Sequence, residues 1–163
     1  MRRLDAGQGP GPPCRFSRKA LRSVRHSELR VEGWWGGVSV VRQQRFPRAR
    51  ASVRAARQFV GDTLACWGLG ERWDDMRLCA SELAANAVLH GAPPGRDFSV
   101  RLVREPGRVL IEVRDSGPGL PVFRCASPAS TTGRGLWLVR TVADECGVSD
   151  EAVGKTVWVA FVA

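Results

Sequence analysis

The spacing of hydrophobic and polar residues predicts alternating strands and helices over residues 38–163. Strict alternation indicates strands, as in residues 98–102, whereas apolar positions spaced by three and four residues indicate helices. In chain order, the predicted elements are a strand over 38–46, a helix that ends at Gly68, a helix over 73–90, a hairpin of strands over 98–102 and 109–113, a helix over 136–146 and a strand over 154–162. With 163 residues, of which 44% are hydrophobic, the chain can bury the core of one domain.

Residues 1–37 show no sustained period and are rich in Gly, Pro, Arg and Ser, which predicts a flexible N-terminal extension ahead of a domain at 38–163. The positive charge is concentrated near this end. Residues 1–57 hold 14 Lys/Arg and 3 Asp/Glu, whereas residues 58–163 hold 11 and 13. A contact with nucleic acid or an acidic partner would therefore involve the N-terminal segment, although a solvated basic tail is the favoured interpretation.

Several classes of protein do not fit the chain. No apolar run approaches the roughly 18 residues of a transmembrane helix. The charged residues at the N-terminus are not followed by the apolar core of a signal peptide. The five cysteines are odd in number and contain no C-x-x-C pair, which argues against a disulfide framework or a zinc site. We therefore expect a cytoplasmic protein with no membrane contact, whose cysteines are reduced and mostly buried.

The stretch 81–91 places two polar side chains, Glu82 and Asn86, in an otherwise apolar helical run. Residues four apart lie about 40° from each other around a helix, so the two share one face. An apolar face lies beside them and consists of Met76, Cys79, Ala80, Leu83 and Ala87. The pair should therefore border the core, where polar groups need partners. A structural hydrogen-bonded pair and a solvated flank are the alternatives to a functional site.

A second candidate is Asp115, which ends a predicted strand and precedes an irregular turn with Gly117 and Gly119. A carboxylate accepts hydrogen bonds only, so it would select a ligand edge that donates, such as the exocyclic amine of adenine, over the carbonyl of guanine. Glycines there would let a flat ring approach the backbone. An ordinary surface turn remains the alternative.

Gly133-Arg134-Gly135 precedes a predicted helix, whose N-terminal N–H groups would form a seat for phosphate oxygens. Glycine is also common at helix starts for steric reasons alone. With phosphates there, Asn86 could offer its carbonyl oxygen to a phosphate-bound Mg²⁺, and Glu82 could accept the proton of an attacking hydroxyl. Residues 126–132 would form a flexible lid over the phosphates.

Taken in order, four motifs resemble the N, G1 and G2 boxes and the final adenine-side strand of the GHKL ATP-binding superfamily: Glu82-x-x-x-Asn86, Asp115-x-Gly117-x-Gly119, Gly133-x-Gly135 and Gly154-Lys155-Thr156. The sequences of these motifs are similar to those of the small bacterial anti-sigma-factor serine kinases and their actinobacterial relatives. The resemblance covers residues 38–163. It implies a Bergerat, or histidine-kinase-like ATPase, fold of the α/β class: a two-layer sandwich in which helices cover one face of a mixed, mainly antiparallel sheet and ATP lies between the layers.

The resemblance also implies a role for each matched residue. On the phosphate side, Glu82 would be the general base, Asn86 would hold Mg²⁺ with the ATP phosphates, and Gly133 and Gly135 would contribute to the lid and the phosphate contacts. On the adenine side, Asp115 would bind the adenine amine, Gly117 and Gly119 would form the wall of the adenine pocket, and Thr156 would support adenine beside Asp115. Some serine kinases of the family have a lid arginine where this chain has Ser130, Thr131 and Thr132; Arg124 or Arg134 is the candidate replacement. Lys155 receives no role.

The function implied is that of a Mg²⁺·ATP-dependent serine/threonine kinase that phosphorylates an anti-anti-sigma (STAS-type) partner. The alternative is a non-catalytic, ATP-dependent switch that sequesters a sigma factor or another regulator. The missing lid arginine means that the resemblance supports nucleotide binding more strongly than phosphotransfer. Nucleic-acid binding through residues 1–57 is a third and weaker hypothesis. The partner's identity, the stimulus and the oligomeric state, a homodimer included, stay open.

Overall fold

A computed structural model gives the fold and describes residues 29–32, 38–91, 93–118 and 134–163. The elements are β1 (Leu29–Glu32), β2 (Val38–Pro47), α1 (Arg50–Cys66), α2 (Trp73–Asn86), a π-helical turn (Ala87–Gly91), β3 (Asp97–Glu105), β4 (Arg108–Asp115), α3 (Arg134–Val142), β5 (Glu145–Asp150) and β6 (Lys155–Val162). The predicted hairpin therefore corresponds to β3 and β4, and the predicted terminal strand corresponds to β6.

The strands form one sheet in the order β1-β2-β3-β4-β6-β5. A mixed, mainly antiparallel sheet was the expectation; in the described residues all neighbouring pairs are antiparallel. The edge strand β1 lies within the segment predicted to be an N-terminal extension, and it pairs with the start of β2. The sheet thus reaches beyond the domain boundary expected at residue 38.

Side chains from all three α-helices pack on one face of this sheet and form the main core. Its largest fully buried members come from both layers: Phe98, Phe161, Leu64, Met76, Leu83, Leu102 and Ile111. The apolar face predicted for the second helix is confirmed, since Met76, Cys79, Ala80, Leu83 and Ala87 are all at most 1% exposed. The two-layer α/β sandwich with helices on one face is therefore confirmed.

Arg72 fixes α2 against its neighbours, just before that helix begins. Its guanidinium donates to the Asp144 carboxylate at 2.5 Å and to the carbonyl of Val142 at the end of α3, and it lies 5.0 Å from the centre of the Phe161 ring. Arg72 has φ 55°, in the left-handed region that disfavours residues with a Cβ. These contacts offset that cost and hold α2, which carries Glu82 and Asn86, in place.

The prediction for the third helix was wrong at its C-terminal end. The helix stops at Val142, and Cys146, at the end of the predicted helix, lies in the unpredicted strand β5. Pairing with β6 explains the change, because the Asp144 N–H donates to the carbonyl of Ala160 and the Asp144 carboxylate accepts the N–H of Val162. A Cβ at Gly147 would lie 2.5 Å from the Trp158 ring, so glycine permits this close pairing.

Three of the five cysteines lie in the described residues, and none of these three forms a disulfide there. Cys79 is buried, Cys146 is half-buried and Cys66 is exposed. Burial raises the pKa of the Cys79 thiol from 9.0 to about 12, with a smaller contribution from Asp75. The expectation of mostly buried cysteines is thus met at one of the three positions. No helix of the described part is long and apolar enough to cross a membrane.

Candidate functional site

The helix α2 carries Glu82 and Asn86 one turn apart along its length, and both residues are half-buried. Between and beside them, Leu83, Ala84 and Ala87 are buried in the main core. The Glu82 carboxylate and the Asn86 carboxamide therefore lie at the border of the core, as the sequence predicted.

A π-helical turn follows Asn86 and replaces the end of the α-helix expected to reach His90. Turns of this kind are rare in proteins, and those that exist are frequently found at functional sites. Here the Arg48 side chain donates through Nε to the carbonyl of Val88 at 2.8 Å and so holds the turn from outside. The turn delivers the backbone of Gly91 to the side chain of Asp115, at the end of β4.

Glycines enclose Asp115 closely. A Cβ at Gly91 would overlap the Asp115 carboxylate, and a Cβ at Gly117 would overlap the carbonyl oxygen of Gly91. A third glycine, Gly154, has φ 79° and lies against the backbone of Asp115. Gly117 also donates its backbone N–H to Asp115 Oδ1 at 2.9 Å. The glycine at position 117 is therefore required first by packing between two backbone segments, whatever else it contacts.

The partner of Asp115 in the next strand is Lys155. The two residues are opposite each other in the β4–β6 ladder, and Lys155 Nζ lies 3.0 Å from Asp115 Oδ1. Their side chains are 4% and 2% exposed, respectively. Both therefore belong to a fully buried ion pair on the face of the sheet that the helices cover. Lys155 has no role among the predictions from the sequence.

The prediction that Thr156 supports a base beside Asp115 does not fit the register. Thr156 pairs with Arg114, so its side chain points to the face opposite that of Asp115. Its hydroxyl donates to Glu151 Oε1 at 2.9 Å. The alternation of side chains along β6 thus places Lys155, and not Thr156, beside the carboxylate. A prediction of the strand register from the hydrophobic residues Val157, Val159 and Phe161 could have found this, because Lys155 shares their face.

At the other end of the site, the first turn of α3 approaches Glu82. A Cβ at Gly135 would overlap Glu82 Oε2, so the carboxylate lies directly against the backbone of this turn. The helix N-terminus is the region where backbone N–H groups and the helix dipole favour negative charge. The structure therefore brings Gly135 to Glu82 and Gly117 to Asp115, and α2 with its π-helical turn connects the two ends.

Some predicted site residues cannot be located in this way. Gly119 and Gly133 lie outside the described residues, together with Arg124 and the lid segment 126–132. Arg134 begins α3, but its side chain is not among those described.

The described residues hold no group of three or more His, Cys, Asp or Glu side chains that could bind a metal ion by themselves. A divalent ion at Asn86 would therefore take one amide oxygen from α2 and its other ligands from phosphate and water. This donor set fits Mg²⁺, which prefers oxygen ligands and commonly retains several waters.

Comparisons with known proteins agree with the fold. No curated protein matches the sequence. Among solved structures, the chain is similar to the crystal structure of the RsbU and RsbW domains of Rv1364c from Mycobacterium tuberculosis, with a TM-score of 0.57 and 20% sequence identity. The match covers 74% of this chain and 32% of that chain, so this protein spans about a third of its neighbour, and the likeness shows the fold. The model of the histidine kinase-like ATPase domain family matches residues 46–161. The chain therefore belongs to the histidine kinase-like ATPase domain family.

Proposed function

We propose that this domain binds Mg²⁺·ATP and transfers the γ-phosphoryl group to a serine or threonine of an anti-anti-sigma (STAS-type) partner. The observation that carries the proposal is the contact between the Glu82 carboxylate and Gly135 in the first turn of α3. A helix N-terminus is a natural seat for phosphate oxygens, and a carboxylate beside that seat is positioned to accept a proton there.

The other residues support the same orientation of the nucleotide. Asp115 would accept a hydrogen bond from the amino group of the base, at the end of the site enclosed by Gly91 and Gly117. Asn86 lies on α2 between this end and α3, where its amide oxygen would serve the phosphate-bound Mg²⁺. Bound Mg²⁺·ATP supplies the phosphoryl group and the charge that stabilises its transfer.

The residues of the chain then have distinct tasks. Glu82 accepts the proton of the partner's serine or threonine hydroxyl group. The hydroxyl oxygen bonds to the γ-phosphorus while the bond between the γ-phosphorus and the β-phosphate oxygen breaks, which leaves ADP and a phosphorylated partner. The first turn of α3 holds the phosphate oxygens through its N–H groups. Half-burial of Glu82 and Asn86 limits water around the reacting atoms.

A row of arginines on α1 supports contact with such a partner. Arg50 and Arg54 are exposed, and Arg57 is half-buried on the same helix. Such a basic flank suits a partner with acidic residues and would increase the rate of encounter at low salt. It also supports the competing function, a switch that captures a sigma factor or another regulator in the ATP-bound state without transferring phosphate.

The substitution Glu82→Gln distinguishes the two functions, because glutamine keeps the shape of the side chain and cannot accept the proton. Transfer of labelled γ-phosphate to the partner should fall by about 10²- to 10⁴-fold, with ATP affinity retained. The matched control is Ser81→Ala. The Ser81 hydroxyl donates to the carbonyl of Arg77 within α2, so its loss should change neither quantity.

Two results would contradict the kinase proposal. The first is partner capture that depends on ATP and is equally strong in Glu82→Gln, combined with no phosphate transfer by the unaltered chain; this would establish the switch. The second is an absence of thermal stabilisation by ATP and Mg²⁺, where a ligand at 100 times its Kd adds about 2.7 kcal/mol to the stability. That second result would rule out both functions.

A further inference from the structure

The buried pair of Lys155 and Asp115 departs from the base recognition expected of a lone carboxylate. A carboxylate only accepts hydrogen bonds, so by itself it favours an amino group on the base and repels a carbonyl oxygen at the same position. Here an ammonium group, which only donates, lies 3.0 Å from that carboxylate. The two side chains together present an acceptor and a charged donor side by side.

The hydrogen bonds around the pair leave capacity for a ligand. In the described part of the chain, both donors to Asp115, the Gly117 N–H and Lys155 Nζ, reach Oδ1. Oδ2 has no such donor among the described residues, and it lies against the backbone of Gly91, where a Cβ would come within 2.4 Å of it. The Lys155 ammonium has three N–H donors, and Asp115 Oδ1 accepts one of them.

A purine presents the group at position 6 and the nitrogen N1 next to each other. Adenine donates from its amino group and accepts at N1, which matches Asp115 and Lys155, respectively. A 6-oxopurine accepts at its carbonyl and donates from N1–H, which matches the same two side chains in the reverse order. Either edge finds one donor and one acceptor, so both polar groups of that edge would be paired.

We propose that Lys155 is a specificity-determining residue of the nucleotide site, and that its ammonium lets the site accept 6-oxopurine nucleotides as well as ATP. This inference rests on the nucleotide binding proposed above. It predicts that the charge of Lys155, and not only that of Asp115, sets the ratio of affinities for the two kinds of base.

Equilibrium binding of ATP and of inosine triphosphate, each with Mg²⁺, tests the inference. The two nucleotides differ at position 6 and N1 of the base, so their ratio isolates this edge. The unaltered chain should bind the two within about tenfold of each other. Lys155→Met and Lys155→Thr should raise the preference for ATP by about tenfold or more, because the Asp115 carboxylate without its ammonium partner still accepts from the amino group of adenine and repels the 6-oxo group. Because both affinities are measured on the same preparation, a loss of folded protein cancels in the ratio.

The control is Arg114→Gln, which removes a positive charge one residue from Asp115. Arg114 is exposed and pairs with Thr156 on the opposite face, so the ratio should not change. An unchanged ratio in Lys155→Met, with ATP still bound, would overturn the inference and leave nucleotide binding intact; Lys155 would then only neutralise Asp115. A strong preference for ATP in the unaltered chain would overturn it as well. Failure of the unaltered chain to bind either nucleotide would overturn both this inference and the proposed function.

Discussion

Two ion pairs of low solvent exposure connect neighbouring strands of the sheet in different surroundings. Arg101 and Glu112 are opposite each other in β3 and β4, 2.5 Å apart, on the face that the helices leave uncovered in the described residues. Asp115 and Lys155 are opposite each other in β4 and β6, 3.0 Å apart, on the helix-covered face. Both are cross-strand pairs of an acid and a base, so charge and register do not distinguish them.

The backbone around each pair distinguishes them. Arg101 and Glu112 lie in the middle of regular strands, near a small apolar cluster that includes Leu110 and Trp158. Asp115 ends its strand, and glycine backbones pack against its carboxylate where side chains would otherwise lie. A mid-strand pair serves to join two strands. A pair at the strand end, enclosed by glycines and a π-helical turn, offers hydrogen-bonding groups to a ligand as well.

The largest expected effect follows from removing one charge of the more buried pair. Lys155→Met should lower the free energy of unfolding by about 3–5 kcal/mol, because the Asp115 carboxylate stays buried without a counter-charge. Arg101→Met should cost less, about 1–3 kcal/mol, since its pair is more exposed, at 17% and 9% for the two side chains. Urea denaturation at pH 7 measures both values.

The double variant Asp115→Asn with Lys155→Met provides the control for this comparison, because it removes both charges together. It should recover part of the stability lost in Lys155→Met, and together with the single variant Asp115→Asn it completes a double-mutant cycle that gives the coupling energy of the pair. Equal losses at the two ion pairs, or no recovery in the double variant, would show that their surroundings do not determine their energetics.

A smaller effect on stability is expected at the glycines of the site, and it should differ between its two ends. At position 117 alanine would overlap the backbone oxygen of Gly91, which cannot move easily, so Gly117→Ala should destabilise the fold by about 1–3 kcal/mol. At position 135 alanine would meet the flexible end of Glu82. Gly135→Ala should therefore change stability little, while it displaces the carboxylate and lowers phosphate transfer by about 10²-fold.

Gly70→Ala is the matched control for these substitutions, because a Cβ at Gly70 meets no atom within 4 Å. It should change neither the stability nor the transfer rate. If Gly135→Ala reduced stability as much as Gly117→Ala, the first turn of α3 would be as rigidly packed as the Asp115 end, and the proposed contrast between the two ends would be wrong.

The sequence predicted the elements that are governed by local periodicity. The alternation in β3, β4 and β6 and the apolar stripes of α1 and α2 depend on residues a few positions apart, so they can be read from the chain. The shared helix face of Glu82 and Asn86 could also be predicted, because it follows from their spacing of four residues in α2. The strand β5 was missed, because its strand character depends on pairing with β6 and on the fit of Gly147 against Trp158.

The site was predicted incompletely for a related reason. The resemblance to the family motif implied Thr156 as the neighbour of Asp115, yet the neighbour is set by which β6 residue faces the helices. A shift of one position in a strand exchanges the two faces, so the assignment of Lys155 needs the register and not the motif alone. The π-helical turn that brings Gly91 to Asp115 could not be predicted either, because the prediction of helices from the sequence assumed the α-helical period of 3.6 residues.

The smallest expected effect concerns the pH dependence of the pair formed by Arg101 and Glu112. Burial raises the pKa of Glu112 above its ordinary 4.5, and the Arg101 charge and hydrogen bond lower it by less. The folded state therefore holds this proton more tightly than the unfolded chain does. The free energy of unfolding should fall as the pH rises from about 4.5 through the raised pKa, and it should be independent of this group below that range.

Glu112→Gln removes the titrating group and keeps its shape, so the difference in stability between the unaltered chain and this variant isolates its contribution. Urea denaturation between pH 4 and 7 should show that difference shifting against the unaltered chain as the pH rises. Arg101→Met should extend the loss to higher pH, because it removes both influences that lower the pKa of Glu112. The opposite result, a difference that shifted in favour of the unaltered chain with rising pH, would mean that Arg101 lowers the pKa of Glu112 by more than burial raises it. The attraction between Arg101 and Glu112 would then be stronger than the comparison with Asp115 and Lys155 implies.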